Sequence, residues 1–140
     1  TATAPAAAAP TPMAEVAPAR AARPEAFTAG LNQLRAGSFD DALVRLEVAR
    51  RESGDDPFVL AALAAAHLGR LEGEEAERLY RQALDVAEAP AQPGLYLGLG
   101  EALRVQGRVP DARDALRKAA GHANASDQVV RIAQERLATL

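Results

Sequence analysis

His67 and His122 are the only side chains here whose ordinary pKa lies near neutrality, so general acid–base chemistry would fall to them first. His67 follows an Ala-rich run at a predicted helix end, where a lone imidazole serves as a partner for the helix dipole. His122 falls in a linker. Two histidines are too few for a multi-histidine metal centre. The absence of Cys removes thiol catalysis, disulfides and Cys-ligated metals. Phosphate chemistry would need a Gly-rich loop. Gly94, Gly98 and Gly100 lie in Gly-Leu-Tyr-Leu-Gly-Leu-Gly, but no Gly-Lys-Ser/Thr follows and no strand precedes. Arg78 and Arg81, and Arg113 and Arg117, are interleaved with Asp and Glu, as on a solvated outer helix face. No catalytic group, metal ligand or cofactor is expected.

The elements that carry these residues follow from composition and punctuation. The chain has 140 residues, 49% hydrophobic but only 4% aromatic, so its apolar content is mostly Ala, Leu and Val. That composition favours closely packed helices over sheets. Sixteen basic residues against 19 acidic ones leave no positive excess with which to hold nucleic acid. No apolar run approaches the ~20 residues that span a bilayer, so membrane insertion of this segment is not expected.

Residues 1 to 24 contain eleven Ala and five of the nine Pro, and read as a disordered Ala/Pro-rich tether. The chain opens at Thr1 and lacks the basic start and apolar middle of a secretory leader. An upstream piece is therefore expected to be missing. Fifteen Arg against one Lys, with so much Ala, suggest GC-rich coding and a bacterial source, leaving cytoplasm and envelope both open.

From Pro24 onward each Gly or Pro falls where a helix would start or stop. Pro24, Ser38, Asp56-Pro57, Glu74, Pro93, Pro110 and Ser126-Asp127 open seven helices. Gly37, Gly54, Gly69, Pro90 and Gly107 close or separate them. Ser38 is the expected cap of the second. The fold class predicted is all-α.

The residues Tyr96, Leu99, Gly100, Leu103, Gly107, Val109, Ala112, Leu116 and Ala119 form a ladder of large and small positions. Ala26, Ala29, Gly30, Gln33, Gly37, Phe39, Ala42, Leu46 and Ala49 form a weaker copy. A third is read as Phe58, Ala61, Ala62, Ala65 and Gly69, then Ala76, Tyr80 and Ala83 after two extra residues in the turn. The alanines Ala42, Ala76 and Ala112 are 34 and 36 residues apart. Val130, Ala133, Gln134 and Leu137 extend the pattern into a last helix. This ladder resembles the tetratricopeptide repeat, with a period of about 34 residues.

The resemblance implies an α-α superhelix of three repeats, about 25–54, 55–89 and 93–122, plus a capping helix at 127–140. It also implies a concave wall built from the first helix of each pair. One step off the ladder, that wall would present Phe27, Leu31, Leu34 and Arg35, then Val59, Leu60, Leu63 and His67. Leu97, Gly98, Glu101 and Arg104 would follow on the third pair, and Arg131 on the last helix. Phe27 could equally turn into the core if the first repeat is rotated. Relatives that clamp a chaperone's C-terminal carboxylate use Lys, Asn and Arg on these faces. The apolar residues here imply instead an amphipathic helix or extended apolar peptide from a protein partner. The function implied is a non-enzymatic scaffold within a larger bacterial assembly, the cell envelope being one setting for it. The alternatives are a subunit that self-associates through its convex or terminal faces, and the recruitment arm of a larger enzyme.

Overall fold

The computed structural model describes residues 23–140, in which seven α-helices and one short 3₁₀ turn are the regular elements. They are α1 (Glu25–Arg35), α2 (Phe39–Ser53), α3 (Pro57–Gly69), α4 (Gly73–Val86), α5 (Gln92–Val105), α6 (Val109–Gly121) and α7 (Asp127–Thr139). The 3₁₀ turn, Ala89–Ala91, joins α4 to α5. Apart from Arg23 and Pro24, the tether expected over residues 1–24 lies outside the described residues.

Two of the seven helix starts are capped by a side chain. Asp56 accepts a hydrogen bond from the Phe58 N–H (2.8 Å) with Pro57 in the first turn, and Ser126 accepts one from Val129 N–H (3.2 Å). Ser38, expected to cap α2, makes no side-chain cap bond; its carbonyl accepts from Ala42 N–H instead.

Consecutive helices pack as antiparallel pairs α1–α2, α3–α4 and α5–α6, with α7 closing the last. The first helices also touch one another, α1 to α3, α3 to α5 and α5 to α7, whereas second helices make no comparable contact among themselves. First helices therefore form the inner row and second helices the outer one.

The ladder of the second pair differs from the sequence reading by two residues. The link from first to second helix is built identically in all three pairs. Gly37, Leu71 and Gly107 donate to Leu34, Leu68 and Arg104 carbonyls (2.9–3.0 Å). Ser38, Glu72 and Arg108 donate to Gln33, His67 and Leu103 carbonyls (2.8–3.0 Å). The equivalent residues are thus offset by 34 and then 36 throughout, with no insertion in the second turn. The true ladder of α3 is Leu60, Leu63, Ala64 and His67, matching Tyr96, Leu99, Gly100 and Leu103 on α5. Gly69 is helical, and the space a Cβ would need there is filled by the Phe39 ring. Phe58, expected on the ladder, is 51% exposed.

The corrected register puts Leu71 in the turn where the other pairs have Gly37 and Gly107, and all three adopt positive φ (60°, 79° and 75°). An L-residue there is strained by roughly 1–2 kcal/mol, and Leu71 recovers little by packing because it is 75% exposed. Leu71→Gly is expected to stabilise the chain by about 1 kcal/mol after the entropy of the extra glycine is counted. A raised urea midpoint at unchanged m-value checks this; a lowered one would mean that the Leu71 side chain holds the turn.

Candidate binding groove

With the repeat offset settled, the inner face resolves into three rows crossing the four first helices. One runs Phe27, Ala61, Leu97 and Arg131, the next Leu31, Ala65, Glu101 and Glu135, and the third Leu34, Leu68, Arg104 and Ala138. Every member of these rows is half-buried or exposed. On α1 and α3 the rows are wholly apolar; on α5 and α7 they become charged. The only charged side chains on α1, α3 and α5, leaving His67 aside, are Glu25, Arg35, Glu101 and Arg104.

Seven of the thirteen residues expected on this surface fall in the rows: Phe27, Leu31, Leu34, Leu97, Glu101, Arg104 and Arg131. Arg35 is exposed beside them at the end of α1. The other five are placed elsewhere. Val59, Leu60 and Leu63 are fully buried in the core, because α3 presents them to its neighbouring helices rather than to the groove. His67 sits on the packing ladder at the end of α3, with Nδ1 2.9 Å from the Glu72 carboxylate across the turn. Gly98 faces the Tyr80 ring of α4, and that ring fills the space a Cβ would take. Gly98 is therefore a close-approach position between α4 and α5, half-buried against that ring.

The residues missed were Ala61, Ala65 and Leu68. They would have been found by carrying the 34-residue spacing of Ala42 to Ala76 back into the first helix. Ala61 and Ala65 are half-buried alanines between larger residues of α1 and α5, so the floor of the groove is lowest along α3. Phe58 stands at its edge. Arg23 bridges there, its guanidinium 4.4 Å from the Phe58 ring centroid and 5.6 Å from that of Phe27, while Nε pairs with Asp56 at 2.8 Å. Phe27 thus has both fates left open by its sequence: it packs partly against the core and partly under Arg23. A cavity of about 540 Å³ opens beside this cluster, lined also by Pro57, Val86 and Pro90.

The charged end of the groove is held by ion pairs. Glu101 accepts from Arg104 (3.0 Å) and from Arg136 of α7 (2.9 Å), tying α5 to α7. Behind the groove, burial pushes the Tyr80 phenol up to about 12, and the Glu101 carboxylate adds to the shift. Tyr80 is therefore a neutral packing group at ordinary pH.

Among the described residues no three His, Asp or Glu side chains converge to hold a metal ion. None of the described helices is long and apolar enough to cross a membrane.

The chain is similar to the crystal structure of a TPR-like protein from Chlorobium tepidum, with a TM-score of 0.65 over 91% of this chain and 97% of that one, at 22% sequence identity. The fold is a TPR-like helical solenoid. Neither a protein-family model nor a curated protein matches the sequence. The TPR-like architecture accounts for the inner row of first helices and for the small residues Gly100, Ala112 and Ala119 in the seam of the third pair. A Cβ on Gly100 would lie 2.8 Å from Leu116.

Proposed function

We propose that this chain is a non-enzymatic interaction module that seats a peptide or amphipathic helix of a partner protein on its inner face, as the recruiting part of a larger assembly. The observation that carries the reading is the run of half-buried apolar residues Phe27, Leu31, Leu34, Ala61, Ala65, Leu68 and Leu97 across three helices, with no other described element over it. An apolar surface of that continuity, rimmed by Arg35 and Arg104, is the form taken by helix-in-groove recognition. The groove positions of α3 carry Phe58, Ala61, Ala65 and Leu68, with no Lys or Asn, so a terminal-carboxylate clamp is not part of the proposal.

The test uses Phe58→Glu combined with Leu97→Glu. Both side chains stand apart from the buried cluster, so helical circular dichroism and the thermal midpoint should change little. Proteins retained by the immobilised native chain from a lysate of the source organism should be lost on the variant. Retention of the same proteins by the folded variant would place the binding surface elsewhere.

A further inference from the structure

Arg23, the first described residue, lines the cavity of about 540 Å³ that opens between the start of α3 and the α4–α5 connection. Its Nε pairs with Asp56 at 2.8 Å while its guanidinium lies over the Phe58 ring, so the side chain is anchored there. The residues before Arg23 therefore join α1 at the rim of this cavity.

The cavity is uncovered and apolar where it could have been polar. Four large apolar side chains are exposed among the described residues, and two of them, Phe58 (51%) and Val86 (48%), line it together beside Pro57 and Pro90. The repeat does not require them. Its offsets put Pro24 and Gly94 at the place of Phe58, and Glu52 and His122 at the place of Val86. Two acids also line the cavity, Asp56 and Glu88. Arg23 holds the first, whereas the exposed Glu88 makes no ion pair among the described residues.

We propose that this cavity seats residues 16–22 of the same chain, Val-Ala-Pro-Ala-Arg-Ala-Ala, with Arg20 paired to Glu88. The arginine spacing sets the register. In the polyproline conformation suited to Ala/Pro-rich chain, three residues make one turn and advance about 9 Å. Arg20 then falls on the same edge as Arg23, one turn away, and both acids are met at once. Arg20 is the only Arg or Lys among residues 1–22, so no other register makes the second pair. Pro18 and the flanking alanines lie on the remaining edges, short enough to rest against Phe58, Val86 and Pro90, as extended Pro-containing segments do on aromatic-lined surfaces. Covalent attachment at Arg23 decides the occupant. The tethered segment is present at a high effective concentration, and a second copy or a foreign peptide would have to displace it.

Trypsin tests this on the full chain, because Arg20 is its one usable site in residues 1–24: the bond after Arg23 is protected by Pro24. Cleavage after Arg20, followed by mass spectrometry, is expected to be at least about tenfold slower than in a synthetic peptide of residues 10–26. Glu88→Arg and Val86→Asn should each bring it close to the peptide rate while helical circular dichroism is unchanged. Asp114→Arg, the same charge change on α6, should leave the protection intact. Cleavage of the native chain at the peptide rate overturns the proposal, and so does protection that survives both cavity variants. Protection that appears only as the chain is raised from about 1 to 100 µM overturns it as well, since the segment would then be held by a second copy.

Discussion

Leu63→Glu is expected to abolish the cooperative folding of this chain. Leu63 is fully buried at the packing ladder of α3, in a core whose buried members include no charged side chain. Removing the leucine alone would cost about 2–5 kcal/mol, and the carboxylate adds the penalty of burying a charge or of protonating it. A domain of this size has about 5–15 kcal/mol in total, so the sum takes most or all of it. Thermal melting followed by circular dichroism should show a broad, non-cooperative signal. The contrast with Phe58→Glu, five residues earlier on the same helix, is the informative part. Had the two-residue displacement in register been correct, the roles would be exchanged, with Leu63→Glu tolerated and Phe58→Glu destructive. A folded Leu63→Glu protein would therefore overturn the assigned repeat offset.

The second large effect separates two glycines of α5 that look alike in sequence. Alanine at a helix interior is favoured over glycine by about 1 kcal/mol, so on propensity alone Gly94→Ala and Gly98→Ala should both stabilise. No atom lies near enough to obstruct a methyl group on Gly94, and there a gain of about 0.5 kcal/mol is expected. At Gly98 the methyl would collide with the buried Tyr80 ring, forcing α4 and α5 apart, and a net loss of roughly 2 kcal/mol is expected. Urea denaturation of the two variants checks the sign difference. Combining Gly98→Ala with Tyr80→Ala should recover much of the loss relative to Tyr80→Ala alone, because the ring is the obstacle. Equal stabilisation at both glycines would mean that α4 and α5 do not approach as closely as described.

These two results also mark what could be read in advance. The seven helices were legible because their boundaries are written in local chemistry. Asp56-Pro57 and Ser126-Asp127 start helices, while Gly37 and Gly107 end them in a left-handed turn that other residues adopt only under strain. The ladders of the first and third pairs were legible for the same reason, since turn glycines anchored their alignment. In the second pair the anchor was misplaced. Leu71 occupies the left-handed position, while Gly69, two residues earlier, presents the expected residue type in helical backbone against Phe39. The Ala-rich stretch Ala61-Ala62-Leu63-Ala64-Ala65-Ala66 offers little contrast with which to detect a shift of two. The groove assignment on α3 inherited the displacement, sending Val59, Leu60 and Leu63 outward and hiding Ala61, Ala65 and Leu68.

By itself the sequence determined that this protein is helical, that its helices come in pairs near a 34-residue period, and that its first helices are poor in charge. All three follow from interactions within a few residues along the chain: capping, turn conformation and apolar periodicity. Tertiary structure alone decided which face of each helix is inside. That choice depends on which neighbour fills a given space, as Tyr80 does against Gly98 and Phe39 against Gly69. A residue's exposure is a property of its neighbours across the fold. Leucines at positions 63 and 97, equally apolar in sequence, end one in the core and one at the edge of a groove.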